Sequence, residues 1–239
     1  MEDEIGKHTK KIYTALKHSK EPFIKKLKEI FIEIFIIVFA ITLSIWLHNW
    51  SDHRHEQIET NEFLKGLRDD LSNDILLIEE NKKAVERVDS DFRFIYGLNQ
   101  NRPIDSVSEK QISHHIYFDL RVTHPNIGRY EGFKSSGKMG TIENDSLKQK
   151  ILVYYQEMIT DLNDVEGIVN SFQTRILDLI LDKPDNISLG TLTRTFKMRG
   201  LLDLGIQNLH GQIQSYKDAQ HQAKKIISLI EEQTHLKQE

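Results

Sequence analysis

The chain has 239 residues and a formal net charge of −4; hydrophobic residues make up 38% of it and charged residues 28%. It contains 4 Pro, 12 Gly and no cysteine. This composition favours long helices over sheets, and the lack of cysteine excludes disulfides, zinc–thiolate sites and thiol nucleophiles. Residues 1–29 carry a net charge of +3, whereas residues 51–239 carry −6. A nucleic-acid binder is expected to hold its positive charge on the folded domain, so this distribution argues against nucleic acid as a partner.

The first predicted element is an apolar helix at residues 30–50, which read IFIEIFIIVFAITLSIWLHNW. Residues 34–47 carry no charge, and the run is apolar on every face of a helix, unlike an amphipathic surface helix. Trp46, Asn49 and Trp50 stand at its C-terminal end, where indole rings favour the membrane interface. We therefore predict a transmembrane helix, with a buried core helix as the alternative for a charge-free run of this length.

Lysines set the predicted orientation of this span. They are abundant in residues 1–29, whereas Arg54 is the only Lys or Arg in the first twelve residues after Leu47. The positive-inside bias places residues 1–29 in the cytoplasm as a basic arm and residues 51–239 outside it. No A-x-A-like cleavage site follows the apolar run, so we interpret the segment as an uncleaved signal anchor. The arm interleaves apolar residues with lysines, which suits either a helix on anionic membrane lipid or a solvated tail.

Glu33 is the acid at the start of the span, one turn inside its basic edge. One interpretation is a proton-pathway residue or an ion-pairing residue between protomers, because acids within membranes are often functional. The other is an acid tolerated at the edge, whose carboxylate reaches back to the interface.

Three long segments after the span, residues 55–98, 145–182 and 200–236, show apolar residues at alternating steps of three and four. The first has a gap at Asn81 and Lys82, and the third has a gap at Gln220. Three such helices in one chain predict an all-α antiparallel bundle rather than a coiled coil between chains. The predicted stripes are these: Leu64, Leu67, Leu71, Ile75, Ile78, Val85, Val88, Phe92 and Ile95; then Ile151, Tyr155, Met158, Leu162, Val165, Val169, Phe172, Ile176 and Leu179; then Ile206, Leu209, Ile213, Tyr216, Ala223, Ile227 and Ile230.

Turn residues predict breaks at residues 97–103, 123–126, 137–144 and 184–186, and near Gly200. Residues 107–122 are ambiguous, because their apolar residues alternate like a strand but a short helix fits equally well.

Residues 132–139, GFKSSGKM, match the G-x-x-x-x-G-K part of a phosphate-binding loop. Met139 stands where the loop needs a Ser or Thr to bind magnesium, and no apolar strand leads into the first glycine. We therefore predict no nucleotide binding. The segment is interpreted instead as a helix from about residue 127 to residue 136, stopped by Gly137 in a left-handed conformation before a long helix that begins at Asn144.

No other pattern predicts catalysis, a cofactor or a metal site. Eleven histidines are present, but none form an H-x-x-x-H or H-E-x-x-H pair, and no G-x-S-x-G occurs. Paired acids such as Asp69–Asp70 and Glu79–Glu80 are interpreted as solvated helix faces. The sequence thus predicts a non-enzymatic protein.

Two stretches of the chain resemble a known family. Residues 33–52 hold an early acid and the exit Asn49-Trp50-Ser51-Asp52, and residues 63–71 continue with repeated Leu and Asp. Residues 130–155 match a Y-x-x-L-K-S-S-G pattern with a later pair of tyrosines, with Phe133 in place of the usual Leu. Both resemble a family of uncharacterised single-span bacterial membrane proteins that is common in Bacteroidota. The resemblance implies one span with a helical extracytoplasmic domain and supplies no activity; its motif residues here are Tyr130, Lys134, Ser135, Ser136, Gly137, Tyr154 and Tyr155.

Together these observations predict a single-pass protein of the bacterial inner membrane with a periplasmic helical bundle. Its expected function is that of a structural or accessory subunit, or an interaction module, of a membrane complex. Its expected partners are membrane lipid and either further copies of itself or other membrane proteins. The alternative is a periplasmic ligand-binding sensor without an output domain of its own.

Overall fold

The computed structural model describes residues 23–98, 105–116 and 118–236. Every regular element within those ranges is helical, so the prediction of an all-α protein is confirmed for this part of the chain. Most of the predicted basic arm, residues 1–22, lies outside the described residues.

Seven α-helices and two tighter or wider turns follow one another within the described ranges. They are α1 (Phe23–Gly97), α2 (Ser106–His115), α3 (Gly128–Ser135), a 3₁₀ turn (Lys138–Thr141), α4 (Asp145–Val153), a π turn (Tyr154–Met158), α5 (Ile159–Leu181), α6 (Leu189–Thr193) and α7 (Phe196–Leu236). Side chains cap four of the helices, because Asp105, Asn144, Ser188 and Thr195 each accept a hydrogen bond from a backbone N–H in the first turn.

The chain divides into two compact units, before and after the boundary between Glu56 and Gln57. Within the first unit, residues 30–56 of α1 are all exposed. Among the described residues one helix, α1 from Ile30 onward, is long and apolar enough to cross a membrane by length and composition, and none of that apolar stretch is buried.

In the second unit α1, α5 and α7 form one apolar core. Arg199 of α7 donates to the carbonyl of Tyr96, and Gln220, five to six turns later in α7, donates to the carbonyl of Ile75. The two helices therefore run in opposite directions. Tyr216 of α7 bonds to Glu166 of α5, and Gly205 approaches Phe172 of α5, so α7 also runs opposite to α5.

The predicted stripe of α1 enters this core. Its members are buried except Ile75, which is partly buried and packs against the others. The two polar gaps in the stripes are also inside. Asn81 is buried and donates to Thr123, and Gln220 is 8% exposed and donates to Ile75 and to the carboxylate of Glu79. A gap in an apolar stripe therefore marks a hydrogen-bonded core position here.

The stripes predicted for the other two long helices are wrong in part. In α5 Glu166 and Gln173 are buried, whereas the predicted Val165 and Phe172 are only partly buried. In α7 Gln212 is buried although it was not predicted, and the predicted Ile213 is partly buried and packs against the core. The prediction selected the apolar residue next to each of these polar side chains. Glu166 and Gln173 bond to Thr123 and Asp119 in another segment, and Gln212 bonds to Tyr216 of its own helix.

The structure also shows where the chain breaks before α7 and how residues 107–122 fold. The break expected near Gly200 lies at Arg194–Thr195 instead, and Gly200 is inside α7. The ambiguous stretch 107–122 splits into helix α2 and a non-helical segment from residue 118 onward.

Candidate functional site

The stretch GFKSSGKM forms the end of α3 and the start of the 3₁₀ turn. Gly137 has a φ of 74°, a left-handed value that an L side chain rarely adopts, and Asn144 caps α4 through Leu147 N–H. The predicted glycine stop and the predicted helix start at Asn144 are therefore confirmed. The residues that lead into α3 form no strand within the described chain, unlike those before a phosphate-binding loop.

The polar side chains of this tip contact nearby groups. The hydroxyl of Ser136 donates to the carbonyl of Phe133 at 2.7 Å. Lys134 lies 3.5 Å from Glu131 and 5.4 Å from the centre of the Tyr130 ring, and Ser135 is exposed. Lys138 pairs with Glu59 of α1. These contacts fasten the end of α3 to itself and to α1.

The three motif tyrosines form one aromatic cluster. Tyr130 stacks on Tyr155 with ring centres 4.4 Å apart, and Tyr154 meets Tyr155 edge-on at 4.9 Å. Gln156 donates to the Tyr130 hydroxyl at 2.8 Å. The wider backbone of the π turn accommodates two adjacent residues, Tyr154 and Tyr155, in the core at once.

Next to the tyrosines lies a group that we call the aspartate cluster: Asp70, Asp74, Asn126, Arg129 and Tyr154. Asp70 accepts from Arg129 Nε at 2.8 Å and from Asn126 Nδ2 at 3.1 Å. Asp74, one turn later in α1, accepts from the backbone N–H of Asn126 at 3.3 Å and from the Tyr154 hydroxyl at 3.2 Å. The two carboxylates thus join α1 to the start of α3 and to the π turn.

The two aspartates differ in electrostatic surroundings. Asp70 has a guanidinium in direct contact, whereas both hydrogen bonds of Asp74 come from neutral donors. Burial raises the pKa of Asp74 to about 6; the bonds from Asn126 and Tyr154 lower it in part, and the charge of Asp70 raises it. Burial also raises the pKa of Tyr154 and of Tyr155, so both phenols stay neutral.

Another buried carboxylate, that of Glu166 in α5, lies between the helices of the core. It is 0% exposed and accepts from Thr123 N–H at 2.7 Å, from the Thr123 hydroxyl and from the Tyr216 hydroxyl at 2.6 Å. Asn81 and Gln212 extend the network through Thr123 and Tyr216 respectively. Burial and the Glu166 carboxylate raise the pKa of Tyr216, which keeps its proton as a donor.

Glu166 belongs to a polar stripe on α5 that binds the segment after residue 118. Asn170 donates to the carbonyl of Arg121, and Gln173 bonds to both the N–H and the carbonyl of Asp119. Asp119, Arg121 and Thr123 thus bond to Gln173, Asn170 and Glu166 respectively, so the segment runs opposite to α5. These side chains satisfy backbone groups that have no helix or sheet of their own.

The described residues form an open groove and a small cavity. The groove, of about 410 Å³, lies between α1 and α3 and is lined by Glu59, Glu62, Phe63, Gly128, Arg129, Gly132, Phe133, Ser136 and Lys138. The cavity is apolar, with a volume of about 10 Å³, and lies beside Phe92 and Met198, with room for about one water molecule. His115 lines this cavity, stacks on Phe94 and lies 2.7 Å from Asp91.

The predicted interface residues lie in the exposed part of α1. Glu33 and Asn49 are exposed, as are Trp46 and Trp50, and Arg54 lies 5.6 Å from the centre of the Trp50 ring. Glu33 and the two Trp are thus on the same exposed part of one helix. No group of three or more His, Cys, Asp or Glu that could hold a metal occurs in the described parts of the chain.

Residues 33–166 match the model of a family of unknown function (DUF6090). The match covers more than half of the chain. The chain belongs to the DUF6090 family. No curated protein and no solved structure matches it. The DUF6090 match includes the apolar stretch of α1, the aspartate cluster and the motif tyrosines, and it ends at Glu166.

The buried acids inside the DUF6090 region were not predicted from the sequence. Asp69–Asp70 was expected to be a solvated pair, but only Asp69 is exposed; Asp70 is 7% exposed and bonded to Arg129. A signal was present, because Asp70, Asp74 and Asn81 lie at steps of four and seven on the same face as the apolar stripe. Acids on a core face are a warning of buried polar contacts.

Proposed function

We propose that this member of DUF6090 is a non-enzymatic, membrane-anchored subunit or interaction module of a membrane complex. In this proposal α1 spans the bacterial inner membrane with its N-terminus in the cytoplasm, and the unit after Glu56 lies in the periplasm. The unit acts by binding, and the span associates with other spans, either of further copies or of other membrane proteins.

The observation that carries the proposal is the uncovered apolar surface of α1. Every residue from 30 to 50 is exposed, including a long series of Ile, Phe and Val side chains. Soluble monomers rarely expose contiguous apolar patches larger than a few hundred Å². A bilayer covers such a helix on all sides, and twenty apolar residues match its thickness.

Residue types along this stretch separate into two faces. At 100° per residue, five aromatic side chains fall within an arc of about 100°. They are Phe31, Phe35, Phe39, Trp46 and Trp50. The opposite face carries Glu33, Ala40, Ser44 and Ser51. Small and polar residues favour close helix–helix packing in membranes, so this second face supports association with another span.

Charge supports the orientation. The chain before the span is basic, with Lys25, Lys26 and Lys28 at its edge, whereas Arg54 is the nearest basic residue on the other side. Lysines flanking a span are retained on the cytoplasmic side.

Cysteine labelling tests the topology, because the natural chain has no cysteine to interfere. Single Lys20→Cys and Gly167→Cys variants would be treated in intact cells with a maleimide that cannot cross the inner membrane. Gly167 is exposed and has open space for a side chain. We expect labelling of the Gly167→Cys variant only, with Lys20→Cys labelled after lysis. Labelling of Lys20→Cys alone in intact cells, or release of the protein by carbonate washing, would overturn the anchor as proposed.

Oxidative crosslinking in native membranes tests the packing face. We expect the Ser44→Cys variant to give a crosslinked product, either a dimer or a larger adduct with another protein. Trp46→Cys, on the aromatic face two residues further along the span, is the matched control and should give little. Equal crosslinking from both positions, or none from either, would contradict association through this face.

A further inference from the structure

The aspartate cluster contains a buried carboxylate that contacts no cation of the described residues. Asp74 is 2% exposed, and its two acceptor contacts, 3.3 and 3.2 Å, are at the long end of the range for hydrogen bonds. Asp70 lies one helical turn away and is bonded to Arg129. In this position the two hydrogen bonds offset little of the free energy that an ionised carboxylate loses on leaving water. Burial of the neutral carboxyl group costs much less free energy.

The charged and titratable groups around Asp74 come from three elements. Helix α1 contributes Asp70; the start of α3 contributes Arg129, which is bonded to Asp70; and the π turn contributes Tyr154 and Tyr155. From α7, the uncharged Gln220 donates to the carbonyl of Ile75, the neighbour of Asp74. On the other side of the contact, the titratable residue nearest to Asn126 in sequence is His124, which is exposed.

We propose that Asp74 is a proton-controlled contact that holds the segment from Asn126 through α3 against α1 when it is neutral and loosens that hold when it is ionised. The contact regulates the open groove between α1 and α3, because Arg129 both lines the groove and is bonded to the neighbouring Asp70. In this proposal a change in pH alone regulates the contact, and no bound ligand is required.

The direction follows from linkage. The pKa of Asp74 is about 6 in the closed arrangement and 3.8 when the group is exposed to water. The closed form therefore binds the proton more tightly, and its advantage falls as pH rises through this window. With these two values, local opening becomes about tenfold more favourable between pH 5 and pH 7.5.

Hydrogen exchange on the full-length protein in detergent micelles or lipid nanodiscs measures this opening. After correction for intrinsic exchange, amides of α3 should lose protection by about tenfold from pH 5 to pH 7.5, while those in the middle of α7 should not. Asp74→Asn, which mimics the neutral carboxyl, should remove the pH dependence. Asp69→Asn, at the exposed neighbouring acid, should retain it.

Two further variants separate Asp74 from other causes. His124→Gln should leave the pH profile unchanged; if it flattens the profile, the histidine carries the effect and the proposal is overturned. Tyr154→Phe removes a hydrogen bond that favours the ionised carboxylate, so the midpoint of the transition should move to higher pH. An unchanged midpoint in Tyr154→Phe, or a persistent pH dependence in Asp74→Asn, would also overturn it.

Discussion

At the scale of single residues, the carboxylate of Glu166 accepts hydrogen bonds from three donors in the core. Truncation in Glu166→Ala leaves Thr123 N–H and the two hydroxyls without it and opens a cavity. We expect a loss of about 3–5 kcal/mol in the free energy of unfolding.

The same measurement on two other variants makes the test specific. Glu166→Gln should cost less, about 1–2 kcal/mol, because the hydroxyls of Thr123 and Tyr216 can turn and accept from the amide. Asp164→Ala, at an exposed acid of the same helix, should fall within about 0.5 kcal/mol of the natural protein. Denaturant unfolding followed by circular dichroism gives all three values, and equal losses for Glu166→Ala and Asp164→Ala would contradict the network.

Two buried tyrosines should respond in opposite ways to loss of the hydroxyl. Tyr155 is 6% exposed and its hydroxyl has no hydrogen-bond partner among the described residues, so Tyr155→Phe should be neutral or stabilise by up to about 1 kcal/mol. Tyr216→Phe removes a donor to Glu166 and an acceptor for Gln212, and it should cost about 1–2 kcal/mol. Thermal melting of the pair measures the difference, and a loss in Tyr155→Phe as large as that in Tyr216→Phe would show that its hydroxyl is bonded in solution.

Sequence patterns predicted the apolar part of the core but not these polar groups. A helical stripe identifies Leu64, Leu67 and Leu71, because the hydrophobic effect favours their burial and does not depend on a specific partner. Glu166 and Asp74 are buried only because particular donors meet them from distant parts of the chain, Thr123 and Asn126 among them. Such pairings depend on the tertiary arrangement. The spacing of Asp70, Asp74 and Asn81 marks polar positions on the core face, but it does not identify the donors that meet them.

At the scale of helices, the end of α3 depends on a single backbone conformation. Gly137 has a φ of 74° with open space around it, so Gly137→Ala would meet backbone strain and no steric clash. We expect a loss of about 1–2 kcal/mol in unfolding free energy. Gly132→Ala is the matched control within α3: its added methyl group also meets open space, its φ is not positive, and alanine favours a helix, so it should stabilise by up to about 1 kcal/mol. Calorimetric melting separates the two, and equal shifts in midpoint would contradict the role given to Gly137.

Helix ends were predictable where local chemistry fixes them. Gly137 and Asn144 act through their own backbone and side chain, and both were identified from sequence. The segment after residue 118 was not, because its conformation is set by Glu166, Asn170 and Gln173 of α5 rather than by its own residues. Alternating apolar residues suggested a strand there, but the partners are side chains of a helix.

At the scale of the whole molecule, the second unit contains the whole of the buried apolar core of the described chain. Every residue of that core lies at or after position 63, and none lies in the apolar stretch of α1. We expect a fragment of residues 57–239 to be soluble without detergent, helical, and cooperative in thermal unfolding. Size-exclusion chromatography with circular dichroism checks this, and a fragment that aggregates or melts without a transition would contradict the independence of the unit.

The π turn between α4 and α5 determines in which direction the side chains of α5 project from the helix axis. Deletion of one residue from Tyr154–Met158 would restore an ordinary α-helix there and leave all other residues of the chain unchanged. It would also rotate α5 by about 100° about its axis and draw it back by about 1.5 Å relative to α4. Glu166, Asn170 and Gln173 would then turn together away from the segment that they bind. One deletion in the turn would therefore act as the simultaneous loss of three contacts more than two helical turns away.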